Sequence, residues 1–284
     1  MNIHSFFDDD TATFTYVVSD PATKTCAIID SVLDYDMASG RTSTRSADAV
    51  IAYVQAQKLN VQWILETHVH ADHLTAAQYL KEKLGGKLGI GEHVKDVLAY
   101  WVPLFNIGHD TMLDGSQFDH LFKDGETFSI GNIAVRVIYT PGHTPACVCY
   151  HMGDAVFVGD TIFMPYVGTA RTDFPGASAA TLYNSIQKLY ALSDDTKIYV
   201  CHDYPKEGDK EQCFTTIAEE KKNNVLVHLG IGESDYVKTR NARDVGKAVP
   251  RLLLPSLQVN LRAGSFGKPE GNGTQYVKIP VNKM

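Results

Sequence analysis

Apolar and polar positions along the chain switch between a two-residue and a helical period. Near the start, TFTYVV and KTCAIID are β-rich runs separated by SDPAT, and the Asp-Pro turn between them predicts a hairpin. SADAVIAYVQAQKL then carries apolar residues at helical spacing, with Ser46 placed as an N-cap. VQWILET reads as a short buried strand, and HLTAAQYLKEKLGG as a helix closed by Gly85 and Gly86. After a less regular stretch, IAVRVIYT and DAVFVGD predict two more strands. A helix SAATLYNSIQKLYAL, a strand KIYVC and a helix from about Glu211 to His228 follow.

Strands first, then strand and helix in alternation, predict an α/β (or α+β) sandwich with sheets inside and helices outside. No linker, low-complexity tract or fixed-period repeat interrupts the chain, so residues 1–284 read as a single domain with RAGSFGKPEGNGTQ as a loop near its end. A hydrophobic content of 44% is ordinary for a sizeable core. With 26 basic and 33 acidic residues the net charge is -7, which argues against a nucleic-acid partner. Five cysteines without repeating spacing do not form a disulfide framework, and Cys147 and Cys149 alternate like buried strand residues. The acidic N-terminus does not resemble a targeting peptide, and no stretch approaches the roughly 20 apolar residues of a membrane helix. The expected setting is a reducing cytoplasm, with no membrane partner.

The chemistry collects at strand ends. His68, His70, Asp72 and His73 follow VQWILET; His143 lies in TPGHT, Asp160 in VGD and His202 in VCHDY, each after a later strand. Loops at one edge of a sheet are where such folds build sites. His68 and His70, two apart in extended backbone, point the same way. Asp72 and His73, at the start of the following helix, can turn toward a second position beside the first. Imidazoles and carboxylates suit zinc, iron or manganese, so the donors predict a metal without selecting it. His4, His93, His109, His120, His151 and His228 lack such company and read as ordinary surface or core histidines.

THVHADH, TPGHT, GD and HDY, in this order, resemble the metallo-β-lactamase superfamily, whose fold is an αββα sandwich. Within it, TFTYVV, ILETHVHADH, TPGHTPACVCY, VGD and ARTDF resemble persulfide dioxygenases, the family of the mitochondrial ethylmalonic-encephalopathy protein, over roughly residues 12 to 205. LLLPSLQVNLRAG looks like the bacterial branch. The segment from about Tyr100 to Leu121 departs from shorter family members near the expected substrate entrance. The resemblance implies one Fe(II) per chain held by His68, His143 and Asp160, a two-histidine, one-carboxylate arrangement with open positions. It further implies oxidation of glutathione persulfide by O2 to sulfite and glutathione, and a homo-oligomer, dimer or larger. His70, Asp72, His73 and His202 would then orient ligands and waters. Arg171 and Asp173, in ARTDF, would form an ion pair, or Arg171 would fix the site loop or face a substrate carboxylate, and Tyr204 would donate to the bound thiol compound. Arg240, Arg243 and Arg262 are candidates for the carboxylates of glutathione.

Hydroxyacylglutathione hydrolase (glyoxalase II) also resembles the chain. In that enzyme two metals use all seven ligands, Asp160 bridging, and a metal-bound hydroxide attacks a thioester. Every residue this needs is present. ARTDF, TFTYVV and HLTAA after the histidine cluster favour the dioxygenase. A non-enzymatic metal-binding or sulfide-sensing protein would show a lost ligand or an appended DNA-binding or rhodanese-like segment, and neither is visible.

Overall fold

The computed structural model describes residues 1–205 and 208–283; Lys206, Glu207 and Met284, within the predicted single-domain span, lie outside the described residues. The first half of the chain runs β1 (Asn2–Asp8), β2 (Thr13–Ser19), β3 (Thr25–Ile29), a ribbon of β4 (Asp34–Asp36) and β5 (Arg41–Ser43), α1 (Arg45–Ala56), β6 (Asn60–Leu65), α2 (Ala77–Leu84), β7 (Lys87–Gly91), α3 (Val94–Phe105) and β8 (His120–Phe122). The second half runs β9 (Thr127–Ile130), β10 (Ile133–Tyr139), β11 (Val148–Met152), β12 (Ala155–Phe157), α4 (Ala179–Tyr190), β13 (Lys197–Tyr199), β14 (Phe214–Thr216), α5 (Ile217–Asn223), α6 (Glu233–Asp244) and α7 (Leu253–Asn260). Each half contributes a six-stranded sheet, ordered β1-β2-β3-β6-β7-β8 and β14-β13-β12-β11-β10-β9.

The predicted hairpin is β2 with β3, antiparallel, and β6, β7 and β8 extend it in parallel through helical crossovers. Strand alternation then divides the core. Phe14, Tyr16 and Val18 of β2 and Trp63 and Leu65 of β6 face the second sheet, while Val17, Ile28 and Ile64 face α1, α2 and α3. Two buried phenols tie the sheets together: Tyr16 donates to the carbonyl of Cys213 (2.9 Å), and Tyr150 to that of Glu66 (2.9 Å). α7 closes the outer side of the first sheet with Leu253, Leu257 and Val259. Among the described residues no helix is long and apolar enough to cross a membrane.

Several expectations are corrected. Ser46 is not an N-cap: α1 begins at Arg45, and the Ser46 hydroxyl donates instead to Asp34 (2.8 Å). The predicted helix from Glu211 to His228 divides, because Phe214–Thr216 pairs with β13 as an edge strand and only Ile217–Asn223 is α-helical. Asp72 and His73 precede α2 by several residues and lie in an irregular loop. The less regular stretch holds β7, α3, β8 and β9, whose short strands give too few alternations to be read from period alone. Gly85 does close α2, at φ 75°.

Glu220 of α5 is fully buried and accepts a hydrogen bond from Asn224 Nδ2 (2.6 Å), while its other oxygen has no partner among the described residues. Burial pushes its pKa up to about 8, with the Asn224 hydrogen bond opposing. The native state thus keeps a proton that the unfolded chain releases near the usual glutamate value, so stability falls as pH rises from that value through about 8. Glu220→Gln, which retains the acceptor for Asn224, is expected to flatten this decline. Its thermal midpoint should exceed that of the parent at pH 9 and match it near pH 5; an equal gap at both pH values would refute the assignment.

Candidate metal centre

Four strand ends deliver the donors to one edge of the sandwich. β6 is followed by the loop carrying His68, His70, Asp72 and His73, β10 by His143, β12 by Asp160 and β13 by His202. The sheets meet here, since the Phe14 N–H donates to the carbonyl of Cys201 (2.7 Å). Gly159 permits the approach: its φ is 51°, and a Cβ there would meet Thr67 Oγ1 at 2.4 Å. His68, His70, His73 and His202 are buried, as are His143 and Asp160, which also reach a cavity.

Ligating atoms of His68, His143 and Asp160 all lie within 4.8 Å of one another. Asp160 Oδ2 is 3.6 Å from His143 Nε2 and 3.9 Å from His68 Nε2. Those separations are too long for hydrogen bonds and suit donors each about 2.1 Å from one ion. Beside them stand His70, Asp72 and His73, and a third group of Asp160, Cys201 and His202, each also within 4.8 Å. Asp72 Oδ2 is 3.0 Å from His202 Nε2, and Asp72 Oδ1 is 3.4 Å from His73 Nδ1.

The pattern of satisfied and orphaned atoms is the test of fit. His143 Nδ1–H donates to the Arg171 carbonyl (2.8 Å), and His202 Nδ1 faces the Ala12 carbonyl (3.1 Å). His68 Nδ1 faces the Thr67 hydroxyl (3.1 Å), which donates to Asp30 Oδ2 (2.9 Å). Among the described residues, His68 Nε2, His70 Nδ1, His73 Nε2, His202 Nε2 and Asp160 Oδ1 are buried without a hydrogen-bond partner. Buried polar atoms are rarely left so, and several of them clustered among imidazoles and a carboxylate fit a metal.

His70 differs from His68 in its company. Its Nε2 lies 3.0 Å from Asp30 Oδ1 and 3.2 Å from Glu66 Oε2. Burial disfavours its cation, but the charge and hydrogen bond of Asp30 outweigh this and hold its pKa well above the usual value. His68 goes the opposite way: burial, then the neighbouring His70 and His143, pushes its pKa well down and leaves it neutral. Burial lowers His73 likewise, whereas the Asp72 charge overcomes burial at His202 and raises it well above the usual value.

Above the donors opens a cavity of about 640 Å³, of a size for a tripeptide-like ligand. Arg171, Asp72, Tyr204, Arg240 and Arg243 line it together with His143 and Asp160. Arg171 grips Asp173 through Nε (2.6 Å) and Nη2 (2.7 Å) and the Ala248 carbonyl through Nη1 (2.7 Å), so ion pair and loop fixation coincide. Tyr204 stacks on His202 at the half-exposed rim. Arg240 lies on the wall, but its guanidinium is engaged by Asp244 and the Thr169 carbonyl. Arg262 is a correction: it lines a different cavity, where Asp110 (2.9 Å) and Thr111 (3.0 Å) occupy its guanidinium. The segment from Tyr100 to Leu121 does not line the main cavity either. Burial pushes the Cys147 thiol up to about 12 and Cys149 to about 11, so neither offers a thiolate.

Asp30, Glu66, Asn260 and Lys247 escaped sequence reasoning. Asp30, closing the AIID strand, resembled the other strand-end donors and was legible in principle. Asn260 was not: from α7 it accepts the Thr75 N–H (2.8 Å) and donates to the His70 and His73 carbonyls (2.8 Å each). Lys247 and Arg251 join the cationic wall.

A sequence model of the metallo-beta-lactamase superfamily matches residues 8–202. The chain is 50% identical over 284 residues to Glyoxylase B2 of Dictyostelium discoideum, covering 99% of this chain and 97% of that one. It is 28% identical to the human mitochondrial persulfide dioxygenase ETHE1, covering 92% and 88%. The crystal structure of ETHE1 from Myxococcus xanthus superposes with a TM-score of 0.75 at 27% identity, covering 93% of this chain and all of that one.

Asp30→Asn removes the charge that orients His70 and, through Thr67, His68. It is expected to weaken metal binding by about 10- to 100-fold in a chelator-competition titration while far-UV circular dichroism stays unchanged. An affinity equal to that of the parent would rule out this orienting role.

Proposed function

The chain belongs to the metallo-beta-lactamase superfamily, and from that premise we propose that it is a mononuclear non-haem iron(II) persulfide dioxygenase. The proposed substrate is glutathione persulfide, GSSH + O2 + H2O → GSH + SO3²⁻ + 2 H⁺. The observation that carries this reading is the grouping of His68, His143 and Asp160 within 4.8 Å while His70 turns its Nε2 to Asp30 and Glu66. Two imidazoles and one carboxylate on one side of an ion leave open positions for a sulfur donor and dioxygen. The likeness to the human persulfide dioxygenase ETHE1 supports the same reading.

Bound iron would supply activation of dioxygen beside the terminal sulfur. The chain's own residues prepare the place. The Arg171 carbonyl fixes the ring of His143, and the Arg171–Asp173 pair fixes that carbonyl's loop. Thr67 and Asp30 set the ring of His68. Asp72, on the cavity lining, carries its carboxylate 3.0 Å from His202 Nε2 and 3.4 Å from His73 Nδ1. Arg243 and Lys247 line the cavity and, among the described residues, neither is within ion-pair distance of a carboxylate. They suit the two carboxylates of glutathione, as does Tyr204 a hydrogen bond to it. Cytoplasmic location and assembly into a dimer or larger remain part of this proposal.

A dinuclear thioester hydrolase is the second reading. Orphaned His70 Nδ1, His73 Nε2 and His202 Nε2 favour it, as does the 50% identity to Glyoxylase B2.

Metal analysis with oxygen uptake separates the two. About one iron per chain and O2 consumption with glutathione persulfide are expected; two metals, thioester hydrolysis and no O2 use would establish the hydrolase. Asp72→Ala should keep most of the bound iron while His143→Ala loses it, and equal loss would indicate a dinuclear centre. Arg243→Ala should raise KM for glutathione persulfide about tenfold with kcat nearly unchanged, the signature of lost carboxylate binding. An unchanged KM would remove Arg243 from the substrate site.

A further inference from the structure

Behind the metal donors lies a second, smaller space. It is a largely enclosed chamber of about 20 Å³, walled by Val69, Val97, Trp101, Phe174, Leu253 and Leu257. That volume admits roughly one small molecule. Ala71 and Phe174 line this chamber and the main cavity alike, so the two adjoin at these side chains. Phe174 also presents its ring to His143, with centroids 5.5 Å apart. The chamber therefore lies next to the metal centre, with the Phe174 ring between it and His143.

Its chemistry selects the occupant. The side-chain polar groups on its described wall are the Thr144 hydroxyl and the Trp101 indole N–H. The Thr144 hydroxyl already lies 3.1 Å from Cys147 Sγ and accepts the Ala146 N–H at 3.2 Å. A buried water needs two to four polar partners, and apolar cavities without them stay dry and take up apolar gases. An anionic thiol compound is excluded by size and by the cost of burying its charge.

We propose that this chamber is a dioxygen-binding site that feeds the metal centre past Ala71 and Phe174. The proposal rests on the dioxygenase reading for the identity of the gas, but not for the chamber's preference for small apolar molecules. It also gives a role to part of the segment from Tyr100 to Leu121, because Trp101 walls the chamber.

The test uses the iron-loaded full chain. Crystals under xenon pressure should show xenon between Val97, Trp101 and Leu257, and Val97→Phe, which fills the space, should abolish it. In oxygen-uptake kinetics Val97→Phe should raise KM for O2 about fivefold, leaving KM for glutathione persulfide and kcat at saturating O2 unchanged. Val97→Leu, a milder filling that the core tolerates more readily, should give an intermediate rise. No xenon in the parent overturns the site. Xenon binding with KM for O2 unchanged in both variants overturns its role in delivery. Xenon binding in a parent that consumes no O2 refutes the dioxygenase reading and the assignment of the gas with it, while the chamber stands as an apolar-gas site.

Discussion

The metal centre hangs on one buried carboxylate, Asp30, at the end of β3. It accepts the Thr67 N–H (2.8 Å) and hydroxyl (2.9 Å), and faces His70 Nε2 (3.0 Å). Burying a charge is costly unless it is paired and hydrogen-bonded, and here every contact also positions something. Through Thr67 it sets the ring of His68; through Nε2 it sets His70; through the Thr67 N–H it fixes the turn that starts the histidine loop. Burial opposes ionisation of Asp30, but the charge of His70 prevails and holds its pKa below the usual carboxylate range. The backbone bends to this end, since Asp30 adopts φ 51°, a left-handed conformation uncommon outside glycine that aspartate adopts more readily than most residues. Such local strain persists where surrounding contacts over-determine it.

The hub works only because three distant parts of the chain close over it. The first sheet brings Asp30 and the histidine loop, the second brings His143, Asp160 and His202, and α7 brings Asn260. Tyr150 of β11 donates to the Glu66 carbonyl, and Asn260 donates to the carbonyls of His70 and His73. The loop that carries four candidate donors has almost no regular structure of its own, so these side-chain bonds take the place of a strand ladder. A site assembled this way is complete only in the folded whole.

Legibility in sequence followed the range of the interaction. His68, His143, Asp160 and His202 stood out because each follows a strand with clear alternation, and strand ends converge in this layered architecture. Asp30 obeyed the same rule but had only one side chain to announce it. Asn260 has no local signal at all: an asparagine near a helix end is common, and its meaning lies in a contact some 190 positions away. Arg262 shows the converse. Its charge suggested a substrate contact, whereas Asp110, equally unremarkable in sequence, holds it at another cavity. Similarly, Phe214–Thr216 is a strand because β13 offers an edge, which no period within three residues can express.

The proposed second route beside the main cavity has a consequence for how a two-substrate reaction would run. The main cavity is walled by Arg171, Arg243, Lys247 and Arg251, and their field attracts an anionic thiol compound. An apolar gas gains nothing from that field and would share the space with water and substrate. The chamber lined by residues of α3 and α7 would offer it a separate, apolar approach, with Ala71 and Phe174 shared between the two. Under the proposed reaction the two substrates would then not compete for entry, and the thiol compound could fill its cavity without closing the way for dioxygen. Phe174 is the pivot of that arrangement, because it packs under the Arg171 guanidinium (5.0 Å) on one side and against the ring of His143 on the other. The ARTDF loop, which looked in sequence like a substrate contact or an ion pair, thus acts at the boundary between both routes.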